Sequence, residues 1–504
     1  MSLPFPSTTP HALSSSRLFD LIPSPIRTYA SGLRDSFIQK VRRSGVLDRI
    51  SHLTGAKLRS INGNRDTPGG SRPLLYSVIL WICTVPNLLI FLWICTLYWG
   101  ERKVWKDSVR SCAWDTWEDW PAGAAPHHVA LVADPQLVDA HTYPGRGPFL
   151  SHLTEYYTDS YLYRGYVSLQ SRLRPDTTFF LGDLFDGGRE WATADGSYVS
   201  PDKRFKSYGE DYWESEYRRF VRLFFNTWKK STGVSEIDDD EYGTISDTEK
   251  RLKAKRQQQR QIVASLPGNH DIGFSNRVNT HVRDRFETWF GPANRLDVIG
   301  NHSFVSFDGP SLSAMDPGER NAAGQLDTEP IFKPTKEFLD NVQGLKAKAV
   351  RDELRELRGE TYYVPDKDTS SEDNTSEFPT VILTHVPFWR DPDTDCGPLR
   401  ERHLGAGGIP DDWGNSIKIE RGYQYQNVLT DWTSRYVLEK IGNGVKAIYS
   451  GDDHDYCEIE HTKYAREGET AAKEITVKST SMVMGVRKPG FLLAHDTEQI
   501  VSPA

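Results

Sequence analysis

Cysteine is scarce, with five in a chain of 504 residues. So few thiols exclude a scaffold built from disulfides. Cys83 and Cys95 fall in an apolar run. One bridge among Cys112, Cys396 and Cys457 is open, with an odd thiol left over, and this count does not fix the redox compartment. A basic excess is missing from most of the chain. Residues 1–72 hold 11 Lys and Arg against 4 Asp and Glu, whereas the remainder holds 50 against 65. An acidic body argues against a nucleic-acid partner, because phosphate backbones select basic faces. The basic head suits an anionic membrane surface instead. Long hydrophobic runs are also few, and only one is long enough to matter.

That run, Leu74 to Trp99, has 26 residues and no charge. It is long enough to cross ~30 Å of hydrocarbon as a helix. Pro86-Asn87 in its middle predicts a kink of the kind membrane helices tolerate. Trp81, Trp93, Tyr98 and Trp99 supply interfacial aromatics. Its length and its distance from the start exclude a cleaved signal. Lys and Arg are even on the two flanks, and the wider basic head tips the N-terminus toward the cytosol. The rest is then expected to be lumenal or extracellular, a side that suits the acceptor tripeptides at Asn301 and Asn374. The predicted organisation is a basic, mostly disordered tail over 1–72, a transmembrane helix over 73–99 and a Trp-rich neck over 100–126. One large domain follows over 127–495, with polar insertions at 231–261 and 364–378 and a tail over 496–504. Leu33 to Leu58 has a weaker reading as a basic amphipathic helix.

Within the large domain, short apolar runs repeatedly end in polar turns. His128–Ala133 leads to Asp134-Pro135-Gln136, and Thr177–Leu181 leads to Gly182-Asp183-Leu184-Phe185-Asp186. Ile262–Leu266 leads to Gly268-Asn269-His270-Asp271, Thr380–Thr384 to His385, and Lys446–Ser450 to Gly451-Asp452-Asp453-His454. Phe304–Phe307 and Glu474–Thr480 read as further strands. Tyr156–Leu173 reads as a helix. Trp213, Tyr217, Phe220, Phe224 and Trp228 recur at helical spacing, which is most simply a helix packed on a sheet. The pattern is α/β, with polar residues gathered at strand carboxyl ends, where open sheets place their sites.

Those turns offer Asp134 with Gln136, Asp183 with Asp186, Asn269 with His270, His385, and Asp452 to His454. Oxygen and imidazole donors without thiolate suit Mn, Fe, Mg or Zn. Each residue alone has an ordinary structural reading; the joint occurrence carries the signal.

The order D-x-Q, G-D-x-x-D, G-N-H-D, H, G-D-x-H resembles the calcineurin-like metallophosphoesterase superfamily, over roughly residues 127–491. Gln136 and Asp452 stand where that family usually has His. The stretches ADPQL (133–137), FLGDLFDGGR (180–189) and SGDDHDYC (450–457) look like its fungal cell-division-control branch. The resemblance implies a four-layer α/β/β/α sandwich of two facing mixed sheets. It implies one metal on Asp134, Gln136, Asp183 and His454, and a second on Asp183, Asn269, His385 and Asp452. It also implies removal of ethanolamine phosphate from a mannose of glycosylphosphatidylinositol anchors in the endoplasmic reticulum, in support of their export to the Golgi. His270 is the candidate proton donor, and Asp271 the candidate to orient its ring. Asp186 is expected to fix its turn. Arg189 and His461 are candidates to touch substrate, with structural roles equally open. Three carboxylates and two oxygen-for-imidazole replacements favour a hard ion, so two Mn ions are expected. The rival readings are a phosphodiesterase of the same superfamily acting on a lipid or nucleotide diester, and a catalytically silent trafficking scaffold.

Overall fold

The computed structural model describes residues 84–120, 126–231, 260–318, 327–357, 378–391, 394–401, 427–465 and 470–496. The basic tail, most of the two polar insertions, the tail after 496 and the acceptor site at Asn374 lie outside the described residues. The chain divides into two compact units, Met1–Cys95 and Thr96–Ala504. Of the predicted span, residues 74–83 lie outside the described residues. Helix α1 (Val85–Tyr98) follows, largely exposed, with Pro86 in its first turn; most of the preceding turn, on which the expected kink depends, lies outside the described residues. Among the described residues no helix is long and apolar enough to cross a membrane.

Two mixed sheets form the large unit. Strands β1 (His127–Val132), β2 (Thr177–Phe180) and β3 (Gln261–Val263) run parallel, and the last strand, β10 (Leu492–Asp496), lies antiparallel on β1. The second sheet has the order β4 (Arg295–Ile299), β5 (His302–Ser306), β6 (Thr380–Leu383), β7 (Val445–Ser450), β9 (Lys473–Thr476), β8 (Cys457–Glu460). The predicted closing strand Glu474–Thr480 is thus β9, and the sheet that opens the domain is closed by β10.

Side chains alternate across each strand, so each sheet has two faces to bury. Val129, Leu131, Phe179 and Leu181 of the first sheet meet Phe304, Val381 and Leu383 of the second. Phe179 stacks on Phe304 with ring centroids 5.3 Å apart. The alternate residues Ala130, Val132 and Phe180 face helices α3 (Pro148–Ser168) and α4 (Glu210–Phe220) through Leu162, Tyr166 and Phe220. Val305, Ile382 and Ile448 share a core with Leu339 and Val342 of α7 (Glu329–Leu357) and Val437 and Ile441 of α8 (Asp431–Ile441). The layers are therefore helix, sheet, sheet, helix. Fully burying each of these aromatic and aliphatic groups contributes about 1.5–3 kcal/mol. The aromatic stripe of α4 and its continuation is core: Trp213, Phe220 and Phe224 are buried.

The neck is bound to this body. Helix α2 (Val104–Arg110) lays Trp105 edge-on to Tyr161 of α3. Trp114 stacks on His128, and Glu118 reaches both His128 of β1 and His495 of β10. Short helices α5 (Asn269–Ile272) and α6 (Thr280–Phe290) complete the described core near the sheet edges.

Candidate metal centre

The carboxyl ends of β1, β2, β6 and β7 come together, because the two facing sheets share one edge. The turns are stitched by main-chain bonds: Gln136 N–H to Asp183 O at 2.9 Å and Gly451 N–H to His385 O at 2.9 Å. Thr480 N–H to Ala133 O, at 3.0 Å, adds the segment after β9. His385 crosses between the sheets, its Nδ1 2.7 Å from the carbonyl of Leu181. That bond leaves Nε2 as the coordinating face.

The backbone is bent to present these side chains. Asp134, Gln136, Asp183, Asp452 and His454 all have positive φ, from 33° to 65°. Such conformations are costly for residues with a Cβ and gather at functional sites. Gly268 answers a different need. A Cβ there would lie 2.0 Å from Asp183 Oδ1, so only glycine lets the two turns approach this closely.

Two donor groups result, each with ligand atoms within 4.8 Å of one another: Asp134, Asp183 and His454, and Asp183, His385 and Asp452. Asp183 is common to both. Asp134, Asp183 and His385 are fully buried and Asp452 nearly so. Gln136 joins the first group, its amide nitrogen 2.6 Å from Asp183 Oδ2. Asn269 joins the second, with Oδ1 2.9 Å from His385 Nε2. His385 Nε2 lies 3.4 Å from both Asp183 and Asp452. All seven sequence-predicted ligands are therefore placed together.

These residues fit a pair of divalent cations. Three carboxylates at one buried place repel one another, and burial denies them water. Burial, then the charges of Asp183 and Asp452, pushes the Asp134 carboxyl well above the usual range, against an opposing pull from His385. Burial also raises Asp452. Burial alone would lower His385, but Asp183, Asp452 and Asp134 outweigh it and raise it well above the ordinary imidazole value. Burial lowers His454 to about 4, so it is neutral at pH 7. Two buried acceptors, Asp134 Oδ2 and Gln136 Oε1, have no hydrogen-bond partner. Buried acceptors ordinarily find one, and a pair of cations would satisfy these two.

His270 stands beside the pair, its main-chain N–H donating to Asp183 Oδ1 at 2.8 Å. Its ring corrects an expectation. Asp271 does not orient it. As the third residue of α5, Asp271 turns back to accept the N–H groups of Leu184, Phe185 and Gly268 at 3.1, 3.0 and 2.8 Å. It therefore ties the second and third turns together, and burial with the nearby Asp183 charge raises it to about 7. The ring is held by Asp186 instead: Nδ1 lies 2.7 Å from its carbonyl and 3.3 Å from its carboxylate.

Arg189 and His461 take the structural reading. Arg189 is buried, 3.3 Å from the carbonyl of Asn269 and within 3.5 Å of that of Asp186. His461 bonds Glu474 at 2.7 Å and lines a separate cavity of about 520 Å³ with Arg435, Lys463 and Tyr464.

Sequence reading missed His141, whose Nδ1 lies 2.9 Å from Asp186 Oδ2. It also missed the bracing of the last ligand loop. Arg390 and Arg400 both grip Asp453, and Asn427 N–H donates to Asp452. Cys396 and Cys457 form a disulfide across 61 residues, three positions beyond His454. Closing a loop of that size is worth about 4 kcal/mol in the chain-entropy account. Among the described residues Cys95 and Cys112 are free.

No protein-family model matches the chain. Cell division control protein 1 of Saccharomyces cerevisiae is 33% identical over 83% of this chain and 63% of its own length. This chain thus spans less than two thirds of that relative. Protein TED1 of the same yeast is 24% identical over 74% of this chain and 76% of its own. Metallophosphoesterase 1 of Danio rerio is 22% identical over 76% of each.

Proposed function

We infer that this chain, which belongs to the calcineurin-like metallophosphoesterases, hydrolyses phosphoric diesters with two divalent cations and takes ethanolamine phosphate from a mannose of glycosylphosphatidylinositol anchors. One observation carries the reading: the buried Asp183 belongs to both donor groups, as a pair of cations sharing a ligand requires. When bound, such a pair activates water and neutralises charge developing at phosphorus.

The chain's own residues do the rest. Asp134, Gln136, Asp183 and His454 would hold one ion, and Asp183, Asn269, His385 and Asp452 would hold the other. The Asp186 carbonyl fixes the Nδ1 proton of His270, which leaves Nε2 to pass a proton to the departing sugar oxygen. Asp271 keeps the turns of Asp183 and His270 in register through its three main-chain bonds. The anchor glycan as substrate rests on the likeness of the 133–137, 180–189 and 450–457 stretches to the fungal branch.

The same reading puts the catalytic domain in the lumen of the endoplasmic reticulum, behind one span with a cytosolic N-terminus. Two features support it. The apolar run continues into the exposed α1, and the Cys396–Cys457 bridge belongs to an oxidising compartment.

The test is incubation of the purified protein with Mn and a mannose-linked anchor glycan, with release of phosphoethanolamine as the expected result. The donor set holds more oxygen than imidazole, so after chelation Mn should restore activity several-fold better than Zn. Restoration by Zn and not by Mn contradicts the assignment of the ion. Cleavage of a lipid or nucleotide diester with the glycan untouched selects the rival substrate. Turnover of no diester selects the scaffold.

A further inference from the structure

We propose that His141 is a positioning residue for proton delivery: it holds the far carboxylate oxygen of Asp186 and so steadies the residue whose near oxygen pairs with the His270 ring and whose carbonyl accepts the ring proton. The inference rests on the diesterase reading above and adds a residue to it. Asp186 stands between two imidazoles. His141 Nδ1 lies 2.9 Å from Oδ2, and His270 Nδ1 lies 3.3 Å from Oδ1 and 2.7 Å from the Asp186 carbonyl. The rings are 6.2 Å apart and nearly perpendicular.

The tautomer of His141 follows from its neighbours. A guanidinium nitrogen of Arg189 lies 3.5 Å from Nε2, and guanidinium only donates. Nε2 is then the acceptor, and the ring proton sits on Nδ1, facing Asp186. The chain Arg189 to His141 to Asp186 links a buried cation to the residue that holds the His270 ring through both its carbonyl and its carboxylate.

Three features hold His141 in place. Its main-chain N–H donates to Asp139 Oδ1 at 2.8 Å, and Asp139 Oδ2 accepts Gly187 N–H at 2.8 Å. Its ring leans on Phe205, with centroids 5.3 Å apart. Gly187 leaves the space: a Cβ at that position would lie 2.6 Å from His141 Cβ. The same three side chains, His141, Asp186 and His270, have donor atoms close enough to hold an ion. The fixed charge of Arg189 beside His141 opposes that use.

The test compares two diesters of ethanolamine phosphate. The p-nitrophenyl ester leaves without a proton; the ester of methyl mannoside needs one. Loss of a supporting residue around a reactive group typically costs about 10–100-fold. His141→Ala should lose about that factor in kcat on the mannoside, less than about 3-fold on the nitrophenyl ester, and little in KM. His141→Asn, which keeps a donor near Nδ1, should recover part of the loss. His141→Ala should add nothing in a His270→Ala background. Metal content should stay at two per chain. Equal losses on both esters, full activity of His141→Ala, or loss of a third metal equivalent would each overturn the proposal. Should the wild-type protein refuse the mannoside and cleave other diesters, the anchor reading alone fails. A simple alkyl diester then replaces the mannoside in the same comparison. Wild-type failure on every diester removes both readings.

Discussion

Asp183→Asn should abolish turnover and empty both donor groups, the largest single-residue effect expected in this protein. Loss of one pre-placed electrostatic group in an active site costs about 10²–10³ in kcat. Asp183 does more than one such group: it is shared by both clusters, accepts the His270 N–H at 2.8 Å and receives the Gln136 amide at 2.6 Å. Activity should therefore fall by more than about 10³-fold. Metal bound per chain, measured by elemental analysis after gel filtration, should drop for both ions. Asp134→Asn is the control, since Asp134 belongs to one group only; it should lose mainly one ion. Asparagine keeps the size of the side chain and an acceptor oxygen, so circular dichroism should not change. Wild-type metal content in Asp183→Asn would refute the shared-ligand arrangement.

Removing the ions should make stability fall with rising pH, the reverse of the loaded protein. The carboxyls of Asp134 and Asp452 are raised by burial first. A carboxyl raised on folding contributes stability below its unfolded value, near 4, and loses it as pH climbs through the folded value. His385 is raised by its three acidic neighbours, which outweigh burial. Its contribution is present below the unfolded imidazole value and is also lost on the way up. His454 runs the other way. Lowered to about 4 by burial, it contributes above the unfolded value and loses that as pH falls through about 4. Three of the four groups thus favour low pH in the stripped protein.

Cations invert the balance, because they bind carboxylate and neutral imidazole. At about 100-fold excess over its Kd each ion adds about 2.7 kcal/mol, so two add about 5 kcal/mol. Thermal melts with Mn and with chelator should therefore diverge between pH 5 and pH 8, with the gap closing toward pH 5. A gap that is constant or narrows with pH would contradict ions held by these groups.

Much of the centre was legible in the chain because its ligands sit at strand ends, where an apolar run stops and a polar turn begins. Asp134, Asp183, Asn269, His385 and Asp452 each close such a run, and the seven strands read from these five runs and from Phe304–Phe307 and Glu474–Thr480 are all present. Strands β4, β8 and β10 were missed. Their sequences, RLDVI, CEIE and LLAHD, are short and each carries charge; pairing with a neighbour makes them strands. The exchange of roles between Asp186 and Asp271 was also hidden. Both lie in motifs beside the ions, and which carboxylate meets the His270 ring depends on how two distant turns dock. His141 gave no signal, since it follows no strand-like run. The pairing of Cys396 with Cys457 was only one of several choices.

Five of the seven proposed ligands hold left-handed backbone. Each costs of order 1–3 kcal/mol, which the surrounding fold must offset. Glycine adopts that conformation freely. Replacing His454 by glycine would relax the turn while deleting the ligand, and in a metal-poor medium the lost coordination costs such a variant nothing. Selecting this protein for heat resistance alone would thus breed inertness. Directed evolution toward a sturdier form has to screen for turnover in every round.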